Sequence, residues 1–241
     1  MIPWRLTSLS LALAMLAAGC ATTQEAAVTD KNYCPFLGSA LCARLVEGKD
    51  PSRLSSAGPA QSTAYLRYVN ANAQWSKYKS VMLQPVTFWA GGDDKISAKD
   101  QHMLTNYFYQ ALEKSLSPAF TMASEPGPGV MRVQVALEDV TTATPVLRSI
   151  SMIIPQARVL ATLKLAATGT YPFVGSAQAE WKITDSESGE VLAAAVDKRV
   201  GSGAMTTAAQ WQFGDAENAL TAWSQQLSDR LVGWTQGTAK P

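Results

Sequence analysis

Three thiols and one imidazole are the strongest nucleophiles and softest metal ligands in this 241-residue chain: Cys20, Cys34, Cys42 and His102. Cys34 and Cys42 have no histidine beside them, which is too few ligands for zinc, and their spacing is not the C-x-x-C of a redox centre. In an oxidising compartment an even pair most simply closes a small disulfide loop, contributing about 2–3 kcal/mol if its geometry is relaxed. Free thiols or an intermolecular bond are the alternatives. His102 falls one residue before an apolar helical stripe and reads as a boundary residue, with a general base as the other reading. Asp93 and Asp94 follow two glycines but lack the alternating oxygen ligands and distal Glu of a calcium loop. Asp185, Glu187 and Glu190 crowd one turn, where a polar hairpin tip accounts for them. The chain has no Gly-x-Ser-x-Gly elbow, His-Glu-x-x-His helix or phosphate-cradling Gly-x-x-x-x-Gly-Lys. No metal, no cofactor and no catalytic constellation is expected. An enzyme acting on cell wall through His102, Asp93 and Asp185 is a third, weaker hypothesis.

Cys20 stands apart from the other two cysteines. Arg5 is followed by an uncharged, mostly apolar run from Leu6 to Ala18, which is too short to span a bilayer and has the size of a signal-peptide core. Leu16-Ala17-Ala18-Gly19 then leads into the cysteine. The pattern resembles a bacterial lipoprotein signal, although Ala17 stands where Leu is more usual. That resemblance implies cleavage after residue 19, lipidation (palmitate included) at Cys20, and a mature N-terminus there. Ala21 in place of Asp implies sorting to the outer membrane, facing the periplasm. One acyl chain binds only marginally, whereas the three chains implied here make release slow.

Cleavage would remove Arg5 and leave 19 basic against 19 acidic side chains. A balanced surface gives no electrostatic case for nucleic acid. The remaining 220 or so residues are enough for one domain with an extended arm.

The elements that position these groups read as follows. Residues 20–33 form a lipidated tether. Residues 34–77 form an irregular arm carrying the expected disulfide, with a helical turn near Leu41–Val46. Residues 78–236 form the regular domain. Ser80–Trp89 reads as a strand, with Pro85 marking an edge or bulge. Ser97 and Asp100 start a helix whose stripe is Met103, Leu104, Tyr107, Phe108, Ala111, Leu112 and Leu116, ended by Pro118. Val133, Val135 and Leu137 alternate with polar neighbours as a second strand. Gln178–Val200 is a hairpin about Ser186–Gly189, in which Asp185 faces Glu190, Ile183 pairs with Leu192, Trp181 with Ala194 and Ala179 with Val196. In that register Gln178, Glu180, Lys182, Asp197 and Arg199 share the opposite, polar face. A terminal helix after Asp215 carries Ala216, Ala219, Leu220, Trp223, Leu227, Leu231 and Trp234 as one stripe. The expected fold class is α+β: a mainly antiparallel sheet of about four strands, helices packed on one face, and the irregular arm.

Tyr78-Lys79-Ser80-Val81-Met82, Pro85 to Trp89, Pro126-Gly127-Pro128-Gly129-Val130, Ala167-Thr168-Gly169, Phe173-Val174-Gly175 and Asp185 to Gly201 together resemble the bacterial lipoprotein family called domain of unknown function 3313. The resemblance runs from about Phe36 to the C-terminal helix. The arm departs from it, with Gly38-Ser39-Ala40 and two cysteines where Phe-Leu-x-Asp-Tyr-Ser is common. The family implies the anchor and no established activity.

The connector Val140–Ala179 carries Arg148, Arg158 and Lys164, no acid, and many apolar residues. It reads as a crossover helix from Pro155 to about Ala167, packed on the sheet. The sharper reading makes Arg148, Ile150, Ile153, Ile154, Arg158, Leu160 and Lys164 a candidate ligand or partner surface toward phospholipid, an amphiphile or a protein. The expected function is therefore an outer-membrane lipoprotein working as a non-enzymatic envelope interaction module. The expected partners are the membrane, through its anchor, and an envelope protein; the alternative is a carrier for lipid or another hydrophobic ligand.

Overall fold

The alternating runs and the two apolar stripes assemble into one mixed sheet with a helical layer on one side. The computed structural model describes residues 23–26, 34–48, 65–89, 96–141, 176–201 and 214–241. The elements in chain order are β1 (Thr23–Ala26), α1 (Ser39–Cys42), β2 (Val46–Gly48), β3 (Tyr65–Val69), a single 3-10 turn at Trp75–Lys77, β4 (Ser80–Leu83), β5 (Thr87–Trp89), α2 (Ala98–Leu116), β6 (Thr121–Met122), β7 (Val130–Thr141), β8 (Ser176–Asp185), β9 (Val191–Gly201) and α3 (Gly214–Gln236).

Seven strands run in the order β2-β3-β9-β8-β7-β4-β6, with β1 added beside β9 and β5 beside β7. The expectation of about four mainly antiparallel strands is thereby corrected. β4 and β5 are both parallel to β7, and β6 is parallel to β4. The cause of the parallel pairs is α2, which lies between β5 and β7 and carries the chain back to start in the same direction. The expected single strand at Ser80–Trp89 is split around Gln84–Val86, since Pro85 cannot donate to a ladder. The sheet also reaches into the expected arm: Tyr65–Val69 pairs along β9 and Val46–Gly48 pairs with β3.

The helical layer matches its stripes. Leu104, Phe108, Leu112 and Leu116 of α2 are fully buried, as are Leu220 and Leu231 of α3. They meet Met131, Val133, Val135 and Leu137 of β7 and Ala177, Ala179, Trp181 and Ile183 of β8 in one core. At its centre Phe108 packs edge-on to Trp181 at 5.3 Å and lies 6.1 Å from Trp223. Ser97 caps α2, its Oγ accepting from the Asp100 amide at 3.2 Å. At Gly129 (φ 71°) an added Cβ would sit 2.8 Å from the Lys77 carbonyl oxygen, so only glycine lets β7 start against that turn.

The hairpin register differs from the expected one by a residue. Thr184 opposes Val191, but Ile183 opposes Ala193, so Leu192 is an extra residue in β9. Beyond this bulge Trp181 faces Ala195, Glu180 faces Val196 and Ala179 faces Asp197. Pairs of polar with apolar residues are tolerated because neither face of the hairpin is left to water. The helices cover one. Cys34, Leu37 and Leu41 cover the other, forming a small cluster with Ala194 and Val196.

Glu180 lies under that second cover and is fully buried. Its two carboxylate oxygens accept from the backbone amides of Phe36 (3.2 Å) and Leu37 (2.8 Å). A buried carboxyl group must find donors, and here two successive main-chain amides supply them. Glu180→Ala leaves both amides without acceptors; about 3 kcal/mol of stability should be lost. Urea unfolding reads that loss, and hydrogen exchange should show the Phe36 and Leu37 amides losing protection first.

Candidate functional site

A groove runs between β3 and α3. Val69, Ala193 and Ala195 line it from the sheet, with Trp181 and Ile183 deeper, while Trp223, Leu227 and Trp234 line it from α3. Arg67, Asp197, Gln226 and Arg230 supply its polar groups. β3 positions Arg67 and Val69 on the same face by its two-residue alternation. The α3 side chains at 223, 227, 230 and 234 share one face by helical spacing. Asp197 is held rigidly, accepting from Trp223 Nε1 at 2.8 Å, with Arg199 Nε 4.0 Å away. Burial lowers the pKa of Arg199, the Asp197 charge opposes that, and Arg230 adds to it. The groove thus combines an indole-rich wall with guanidinium groups, a shape and chemistry suited to an amphiphile more than to bond-making.

A second polar cluster sits at the hairpin end of the sheet. Asp185 Oδ2 accepts from the Tyr78 hydroxyl at 2.8 Å and pairs with Lys77 Nζ at 3.1 Å. Its Oδ1 accepts from the Glu187 and Ser188 amides and the Ser188 hydroxyl. Burial works to raise the Asp185 pKa. The bonds from Ser188, Tyr78 and Lys77 outweigh it and hold the carboxyl well below the usual carboxylate range. Tyr78 is pushed up to about 12, first by its own burial and then by its bond to Asp185. This cluster ties the turn before β4 to the hairpin tip, so its carboxylate has a structural task.

Of the residues singled out from sequence, Cys34 and Cys42 are joined, with Cα atoms 5.9 Å apart. His102 is exposed on α2, and Glu187 and Glu190 are exposed at the hairpin tip. Glu190 accepts from Asn70 Nδ2 at 2.7 Å. Cys20, Asp93, Asp94 and the surface of Arg148, Ile150, Ile153, Ile154, Arg158, Leu160 and Lys164 lie outside the described residues. Among the described residues no group of three His, Cys, Asp or Glu side chains could hold a metal, and no helix is long and apolar enough to cross a membrane. The groove was missed from sequence. Its one signal was the alternation Leu66-Arg67-Tyr68-Val69, too short to separate from an irregular arm.

Residues 48–227 match the family described as "Protein of unknown function (DUF3313)". The chain belongs to that family. No curated protein matches it. Among solved structures, this DUF3313 chain is similar to the PelC L103M dodecamer from Paraburkholderia phytofirmans, with 11% identity, TM-score 0.38, and 68% of this chain and 95% of that one covered. It is also similar to protein XCC0632 from Xanthomonas campestris, of family DUF330, with 12% identity, TM-score 0.39, and coverage of 71% and 95%.

Substituting the buried acid separates its contribution by pH. Because the folded Asp185 pKa is depressed, its stabilisation is complete above the unfolded value near 4 and disappears as pH falls through the lower folded value. Asp185→Asn should therefore cost about 2 kcal/mol from pH 5 to 8, with the gap from wild type closing in stronger acid. Tyr78 acts at the other end of the scale: its raised pKa stabilises the fold below about 10, and that contribution fades as pH rises through about 12. Chemical denaturation across pH measures both.

Proposed function

We propose that this DUF3313 chain is an outer-membrane lipoprotein whose periplasmic domain works by contact, as a non-enzymatic interaction or accessory module of the envelope. One observation carries the reading: the uncharged run Leu6–Ala18 ending in small residues directly before Cys20. The interior chemistry supports it. Glu180 is committed to the Phe36 and Leu37 amides, Asp185 to Tyr78, Lys77 and the hairpin tip, and Asp197 to the Trp223 indole. Carboxyl groups engaged in this way brace the fold, and a general acid or base instead needs a reachable, titrating proton.

Cys20→Ser tests the anchor. The wild type should incorporate labelled palmitate and fractionate with outer membrane, whereas the variant should take up none and appear in the soluble periplasmic fraction. A variant that stays membrane-bound, beside a wild type that takes up no label, overturns the reading.

A second reading, a carrier for an amphiphile, is favoured by the groove between β3 and α3. It expects native mass spectra of protein purified from membranes to show a co-purifying anionic amphiphile. Leu227→Trp, which fills the groove wall, should remove that adduct. A wild type free of adducts sinks the carrier and leaves the interaction module standing.

A further inference from the structure

The register grades the groove between β3 and α3 from apolar to charged along β9. Ile183, Ala193 and Val69 form one row across β8, β9 and β3. Trp181, Ala195 and Arg67 form the next row. Asp197 opposes Ala179 in the row after that, and Arg199 stands one row further. Successive rows lie about 7 Å apart, so Ala193 and Asp197 are separated by about 14 Å. α3 follows the same gradient. Trp223 Nε1 donates to Asp197 at 2.8 Å, and Arg199 Nη2 donates to Gln226 Oε1 at 3.4 Å. Trp234 lies toward the hairpin end, 4.7 Å from Trp75, which packs in turn on Tyr78.

Charge gathers at one end of this gradient. Asp197 is the sole carboxylate in the described lining, and it already accepts from the Trp223 indole beside Arg199. Arg67 also lines the groove, and its ladder neighbours Val46 and Ala195 carry no acceptor side chain. Burial lowers the Arg199 pKa, Asp197 offsets part of that, and the charge of Arg230 lowers it further. Guanidinium groups near enough to disfavour one another's charge are an arrangement that a bound anion relieves. Their planar fork matches a carboxylate with two parallel N–H···O bonds.

The other end suits a hydrocarbon chain. Trp181 and Trp223 close the floor and are buried. What stays open is a strip between Val69 on the sheet and Leu227 and Trp234 on α3, all half-buried. The strip follows a single strand-to-helix seam, so it has the width of one chain. Its apolar side chains would leave the amides of a bound peptide unmatched, at a cost that an alkyl chain does not incur.

We propose that this groove binds a single-chain fatty acid, its carboxylate at Arg67 in the field of Arg199 and Arg230, its alkyl chain running toward Val69 and Trp234. The inference rests on the carrier reading above and names the ligand and its direction.

The test uses the full chain in membranes from producing cells and decanoic acid bearing a diazirine at the end of its chain. The matched alcohol and matched trimethylammonium compound are the controls. After illumination, peptide mass spectrometry should place the acid's label on the segments holding Val69, Leu227 or Trp234. The two controls should label there about tenfold less at equal concentration. Arg67→Gln should bring the acid down to the level of the alcohol, Arg67→Lys should keep most of the labelling, and unchanged urea midpoints show both variants folded. Equal labelling by all three probes, or an Arg67→Gln variant labelled like wild type, overturns carboxylate recognition and leaves a carrier standing. Label on the segments holding Arg199 or Gln226 overturns the assigned direction. Absence of groove labelling by every probe overturns the carrier reading and this proposal together.

Discussion

A single extra residue in β9 decides how this domain divides its interior. With Leu192 bulged, Ala193, Ala195 and Asp197 turn toward the helices, while Ala194 and Val196 turn toward the arm. Asp197 thereby meets the Trp223 indole, and Glu180 faces Val196 beneath the Phe36 and Leu37 amides. An unbulged strand would send Asp197 to the arm side and Val196 to the helix side, leaving the indole donor without its acceptor. A bulge is a fixed displacement by one residue, and everything beyond it inherits the shift. The acceptor for the Trp223 indole, the groove wall and the seat for the arm follow from that displacement.

What the sequence made legible depends on how many residues vote for a pattern. The stripe on α2 has enough turns to be read, and its buried members Leu104, Phe108, Leu112 and Leu116 were all in it. The terminal helix was equally plain. β2, β3 and β6 hold three, five and two residues, too few for a period to show. The sheet is mostly antiparallel, as its hairpin suggests, but the parallel pairs among β4, β5 and β7 are not legible, because a strand, helix, strand order shows the elements without showing which strands become neighbours. The hairpin register is not legible from alternation, because that reading requires one face to be wet. With both faces covered, the polar residues Gln178, Glu180 and Thr184 sit in the interior, and alternation no longer identifies the outside. The groove was illegible because it joins residues 67 and 69 to 223–234, a juxtaposition that only the ladder of β3 on β9 creates.

The buried acids share one manner of stabilisation. Glu180 is met by two amides; Asp185 by amides, hydroxyls and one half-exposed lysine; Asp197 by an indole N–H, with a guanidinium at the edge of contact. Neutral donors supply most of these bonds, which spares much of the desolvation cost of an ion pair; among the described residues Arg199, beside Asp197, is the one cation buried with them. They also link distant stretches of chain: residue 36 to 180, 78 to 185 and 197 to 223. The arm, the turn before β4, the hairpin and the last helix are therefore joined through polar contacts as well as apolar ones.

The outermost described strands of the main path are β2 and β6, with three and two residues. An open border presents free amides and carbonyls that can recruit a neighbouring molecule, and the hazard scales with the length left bare. Here the long central strands β7, β8 and β9 lie inside, and little ladder is left at either margin of the path. This brevity disfavours fibre-like, edge-to-edge stacking of copies and leaves side-chain recognition as the route by which neighbours engage.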